Sequence, residues 1–172
     1  MKNRFFISLF MLICMATSTV MAQEGRTVQN VVLTNTTKNA TKIPGFGSKN
    51  LLIFYVDPDR VGQNDDFVNE IKGNSTLKGG NFAGVNIMNV KDAPNAPNAV
   101  TYKMAQKRAE ASGTPFLIDS DGTLSSSWRL GDCDNLSTII VVDKAGVIKF
   151  ISKGKISEAN KNRFYQIVKD LR

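Results

Sequence analysis

The chain has 172 residues, 22 of them basic and 15 acidic, with two cysteines and no histidine. This length accommodates one domain with a single sizeable core, and the missing histidine excludes most hydrolytic triads and histidine-zinc centres. The net charge of +7 is carried by scattered lysines without arginine-aromatic interleaving, which argues against a nucleic-acid surface and leaves only weak attraction to anionic lipid or polysaccharide.

Lys2 and Arg4 precede an apolar run over residues 5–16, and Val20-Met21-Ala22 has the pattern of a cleavage site. The spacing predicts a secretory signal peptide over residues 1–22, a mature chain beginning at Gln23, and a periplasmic or secreted bacterial protein. The run is too short to span a bilayer, so no transmembrane segment is expected after cleavage. Cys14 lies inside this run behind Ile13, which does not suit a lipidation site. Cleavage lowers the net charge to +5 and leaves Cys133 as the sole cysteine, so no intramolecular disulfide can form.

Residues 23–50 form a polar lead-in rich in Thr, Asn and Lys, with an alternating stretch at Val31-Val32-Leu33 and a turn at Pro44-Gly45-Phe46-Gly47. It reads as irregular or short β structure ahead of a domain over residues 51–172. Residues 51–56 are continuously apolar, as in a strand buried on both faces. Asp57-Pro58-Asp59-Arg60-Val61-Gly62 follows, and Asn64 is the expected N-cap of a helix with Asp65 and Asp66 in its first turn and Phe67, Val68 and Ile71 on its apolar face. Gly73-Asn74 ends it. A second strand over residues 82–88, entered from Gly79-Gly80, completes a right-handed parallel βαβ unit.

Pro94 and Pro97 precede a helix over residues 98–110, in which Val100, Met104 and Ala105 are expected to share a face. A strand over residues 115–119 turns at Asp119-Ser120-Asp121-Gly122 into a short helix over residues 124–130 with the only tryptophan, Trp128. Residues 137–142 and 147–151 read as strands joined by a hairpin at Asp143-Lys144-Ala145-Gly146. Ser157 caps a last helix whose stripe is Phe164, Ile167, Val168 and Leu171.

This order resembles thioredoxin-like proteins of the peroxiredoxin and TlpA type. The resemblance implies an α/β three-layer sandwich, with a mixed central sheet of about five strands and helices on both faces. Residues 116–122 with Trp128-Arg129-Leu130, and residues 138–148, carry that likeness. Within the superfamily, Asn89-Val90-Lys91-Asp92-Ala93-Pro94, residues 116–122 with Trp128, and Val142-Asp143-Lys144 leading to Gly154-Lys155-Ile156-Ser157 resemble the YtfJ-like family of exported bacterial proteins. That family has the thioredoxin-like fold and no assigned activity.

The resemblance places a thioredoxin's nucleophilic thiol, or a peroxiredoxin's peroxidatic one, at the head of the first crossover helix. Residues 57–64 contain no cysteine. The cis-proline that faces the thiols in thioredoxins aligns with Ser137. Cys133, between Asp132 and Asp134, is the remaining catalytic candidate; its flanking carboxylates disfavour the thiolate, and a small semi-buried turn residue is the preferred reading. If the old active-site face binds something, Tyr55, Asp57, Pro58, Asp59, Arg60, Trp128 and Ser137 are the residues to line it, although Trp128 and Phe46 also suit a core.

No metal or cofactor is expected. An EF-hand reading of the Asp57 segment fails because Val61 and Val68 occupy ligand positions five and twelve, and Asp119, Asp121 and Asp143 read as turn formers. The leading function is therefore an exported binding or envelope-accessory protein acting on a protein partner or a small envelope ligand, rather than a dithiol oxidoreductase. A single-cysteine redox protein using Cys133, through a mixed disulfide or peroxidase-like chemistry, is the alternative. A holdase-type role independent of cysteine is the third.

Overall fold

The computed structural model describes residues 23–74, 77, 80–91 and 98–172. The expected signal peptide with Cys14, Gly79, and the residues Asp92, Ala93, Pro94 and Pro97 lie outside the described residues. Within them, Val32–Asn35 (β1) and Ala40–Lys42 (β2) pair as an antiparallel hairpin. Asn50–Val56 (β3), Phe82–Asn89 (β4) and Phe116–Asp119 (β5) are mutually parallel neighbours. Ser137–Val142 (β6) and Ile148–Lys153 (β7) close the far edge antiparallel. The order is β2-β1-β5-β4-β3-β6-β7.

The sheet thus has seven strands rather than about five. The two additional strands come from the lead-in, where β1 pairs antiparallel with β5. The alternation at residues 31–33 accounts for this: Val31 and Leu33 are buried while Val32 is 53% exposed.

Strands β3, β4 and β5 advance in one direction across the sheet, so right-handed crossovers put their two connecting helices, Asp65–Gly73 (α1) and Asn98–Ser112 (α2), on the same face. Glu158–Asp170 (α4) joins α1 there, through Phe164 and Val168 against Phe67, Phe150 and Ile139. The ring pair Phe67–Phe164 is edge-on at 5.1 Å. The opposite face carries Thr123–Ser127 (α3) and the lead-in residues Val28, Val31 and Ile43, packed with Trp128, Tyr55, Ile53 and Ile140.

The lead-in is fastened at its start. Glu24 accepts two hydrogen bonds from the Arg163 guanidinium, at 2.7 and 2.9 Å, and one from the Ile151 amide. At the β6–β7 turn Gly146 sits at φ +80°, and a Cβ there would meet the Val28 carbonyl oxygen at 2.8 Å. Glycine is what allows the lead-in to lie against this turn.

Helix α2 departs from its expected face. Thr101 and Ala105 are buried and Met104 is partly so, but Val100 is 59% exposed. Only a narrow strip of this helix faces β5, and one apolar position falls off it.

Candidate functional site

The thioredoxin-type site would lie where β3 hands over to α1. The chain leaves β3 at Asp57, which accepts from the Asp59 amide at 2.8 Å and starts the single 3-10 turn Pro58–Arg60. Four further contacts tie this loop to residues 135–137, one of them the Asn135 amide donating to Asp57 Oδ2 at 3.3 Å. The Asp57 amide donates to the Leu136 carbonyl at 3.0 Å, the Arg60 Nε to the Asn135 carbonyl at 3.2 Å, and the Ser137 amide to Gln63 Oε1 at 2.9 Å. Asn135 takes φ +52°, a conformation asparagine tolerates. Asp57 is buried, and its burial pushes its carboxyl above the usual carboxylate range.

Asn64 stands at the N-cap position of α1, but its side chain does not cap. It bridges to the segment after β7, donating to the Gly154 carbonyl and accepting from the Ile156 amide, both at 2.9 Å. The N-cap expectation is corrected here: a buried loop with unpaired backbone groups claims the amide first.

Tyr55 and Trp128 belong to the opposite face and are fully enclosed. Tyr55 donates to Asp119 Oδ2 at 3.0 Å. Asp119 also accepts from the Thr123 and Leu124 amides at 2.8 and 3.0 Å, so it holds the start of α3. Burial first, and then the Asp119 charge, raises the Tyr55 hydroxyl above its ordinary value. The Trp128 Nε1–H donates to the Gln29 carbonyl at 2.9 Å and fastens the lead-in. As placed, neither ring lines a surface; each is a core residue with its polar atom satisfied.

Cys133 is 2% exposed among Trp128, Leu130 and Tyr55, and its Sγ accepts from the Thr138 hydroxyl at 3.9 Å. Lys153 Nζ, donating to the Leu130 and Asp132 carbonyls, holds the loop over it. The Asp57 loop is bonded to residues 135–137, whereas the Cys133 thiol, two residues earlier, is buried in the core.

One feature escaped the sequence reading. On the helix-covered face, α1 and α2 do not meet over β4. Gly84 is exposed and Asn86 half-exposed in the middle of a strand paired on both sides. The gap is a trough of about 440 Å³ whose floor includes Leu52, Phe54, Gly84 and Asn86, and its upper end reaches Asn64 and Ser137. The available signal was Gly84 and Asn86 alternating with Val85 and Ile87, the pattern of a strand with one face partly exposed.

These features agree with what known proteins resemble this chain. The family model YtfJ_HI0045, described as bacterial protein of unknown function, matches residues 59–171. The chain belongs to this family. No curated protein matches it. Among solved structures, peroxidoxin BcpB from Mycobacterium tuberculosis aligns with a TM-score of 0.60 at 17% identity, over 87% of this chain and 97% of that one. The thioredoxin domain of a thiol-disulfide oxidoreductase from Bacteroides vulgatus gives 0.58 at 12%, over 87% and 98%. The pneumococcal exposed lipoprotein thioredoxin Etrx1 from Streptococcus pneumoniae gives 0.57 at 14%, over 83% and 100%. At these identities the likeness is one of fold, and it establishes the thioredoxin-like architecture of this YtfJ_HI0045 member.

Proposed function

We propose that this YtfJ_HI0045 protein is an exported binding protein that keeps the thioredoxin frame without dithiol chemistry. The observation that carries the reading is the state of the ancestral site. Residues 57–64 supply no thiol, and Asp57, Arg60 and Gln63 bond to residues 135–137. A disulfide exchange needs an attacking thiolate open to its partner, and Cys133, the one cysteine of the expected mature chain, is 2% exposed within the core. Export rests on the signal-type N-terminus. The binding site is the trough beside the head of α1, in the size range of roughly 300–1,000 Å³ common to small-molecule sites.

The test is turnover. The purified chain starting at Gln23 is assayed for insulin reduction with dithiothreitol and for hydroperoxide consumption, beside Cys133→Ser. Both proteins are expected to match the buffer rate. Turnover that vanishes in Cys133→Ser would replace this reading with the single-cysteine redox one.

A further inference from the structure

We infer that residues 23–28 are a releasable strap on a strand-accepting edge of the sheet, and that the partner this edge fits is the same segment of a second copy of the chain. The edge is the outer side of β7, whose inner side pairs with β6. An open strand edge presents N–H and C=O groups that another strand can take up. Here the chain covers its own edge. The Gly25 amide donates to the Ile148 carbonyl at 2.8 Å, the Ile148 amide to the Arg26 carbonyl at 2.9 Å, and the Val28 amide to the Gly146 carbonyl at 2.8 Å, with Thr27 bridged antiparallel to Val147. Where that pairing ends, the Glu24 carboxylate takes up the Ile151 amide and the Arg163 guanidinium.

Polar contacts hold the strap more than packing does. Of its residues only Val28 is buried in the core. Two buried side-chain atoms of the strap, Gln23 Oε1 and Arg26 Nη1, have no hydrogen-bond partner among the described residues. Each such atom costs the closed state a hydrogen bond that water restores on release. The chain just beyond is pinned separately. The Gln29 carbonyl accepts from Trp128 Nε1, and Asn30 exchanges two hydrogen bonds with Ile43, at 3.0 and 3.1 Å. The strap can therefore leave at Gln29 while β1 and β2 stay in the sheet, an opening smaller than global unfolding.

The strap's hydrogen bonds all run to residues 130–163. The same set is therefore open to the strap of a second copy, with its carboxylate at position 24 for Ile151 and Arg163 and its backbone at 25, 26 and 28 for Ile148 and Gly146. Reciprocal exchange between two copies closes on a two-fold axis and leaves neither edge bare.

Gly25 supplies the test variant. It sits at φ +80° and a Cβ there would meet nothing within 4 Å, so Gly25→Ala penalises the strap's conformation without a clash.

Native-state hydrogen exchange in a urea series reads the opening. The Ile148 and Ile151 amides should exchange with a much shallower urea dependence than the amides of β6, and about tenfold faster in Gly25→Ala than in the wild type. A labelled peptide of residues 23–31 then probes the edge in trans. The chain's own strap competes with it at high effective concentration. The peptide should accordingly bind Gly25→Ala about tenfold more tightly than the wild type, and the same peptide carrying Glu24→Lys should bind neither. Ile148 and Ile151 amides that share the urea slope of β6 overturn the releasable strap. Local opening without capture of the peptide overturns the second copy as its partner.

Discussion

Asp119 is the residue on which burial and chemistry meet most sharply. Its carboxylate accepts from two α3 amides and from the Tyr55 hydroxyl, and its burial raises its pKa above the ordinary 3.8 despite those three donors. The native state therefore holds this proton to higher pH than the unfolded chain does. The group's contribution to stability is fully present below 3.8 and is lost as pH rises through the folded value. Asp57, raised by the same cause, acts with the same sign. Asp119→Asn cannot titrate and offers one acceptor oxygen to three donors. It should cost about 1–3 kcal/mol at pH 7, and the gap to wild type should widen as pH falls from neutrality towards the acid range. Urea unfolding of both proteins across that range reads the difference; a gap that narrows on acidification contradicts the assignment.

At the scale of elements, Asn64 separates position from role. An N-cap tolerates Asp about as well as Asn, but a bridge that donates to the Gly154 carbonyl does not, since a carboxylate has no proton for it. Asn64→Asp should therefore lose about 1–3 kcal/mol in chemical denaturation, where a capping role predicts almost no change. The same element shows how far local pattern reaches. Strand β6 runs from Ser137 to Val142 as its apolar content implies, and Ser157 caps α4 by accepting from the Asn160 amide at 3.2 Å. These signals depend only on neighbours in sequence. The side-chain partner of Asn64 lies 90 residues away, and no local pattern contains it.

For the whole molecule, the layer order was legible because each crossover has one permitted hand and each strand run is bounded by turn residues. The hairpin of the lead-in was harder to place. It is placed by β1 pairing with β5 and by the Gln29 carbonyl, just before β1, accepting from Trp128, contacts between segments about 80 to 100 residues apart. The trough was missed because it is a gap between two helices, set by how narrowly α2 packs on β5 rather than by any motif. Tyr55 and Trp128 were proposed both for a binding face and, in the case of Trp128, for the core; long-range packing puts both rings inside. In this thioredoxin-like frame Cys133 is buried on one side of the sheet, and the trough over Gly84 opens on the other.

The most direct check of that account is the alkylation rate of Cys133 by iodoacetamide in native buffer and through a urea series. A thiol buried in the core reacts only when the fold opens. The native rate should then be about a hundredfold or more below that of the unfolded chain and should rise in step with unfolding. Native alkylation as fast as in the unfolded chain would contradict it and return Cys133 to the candidates for chemistry.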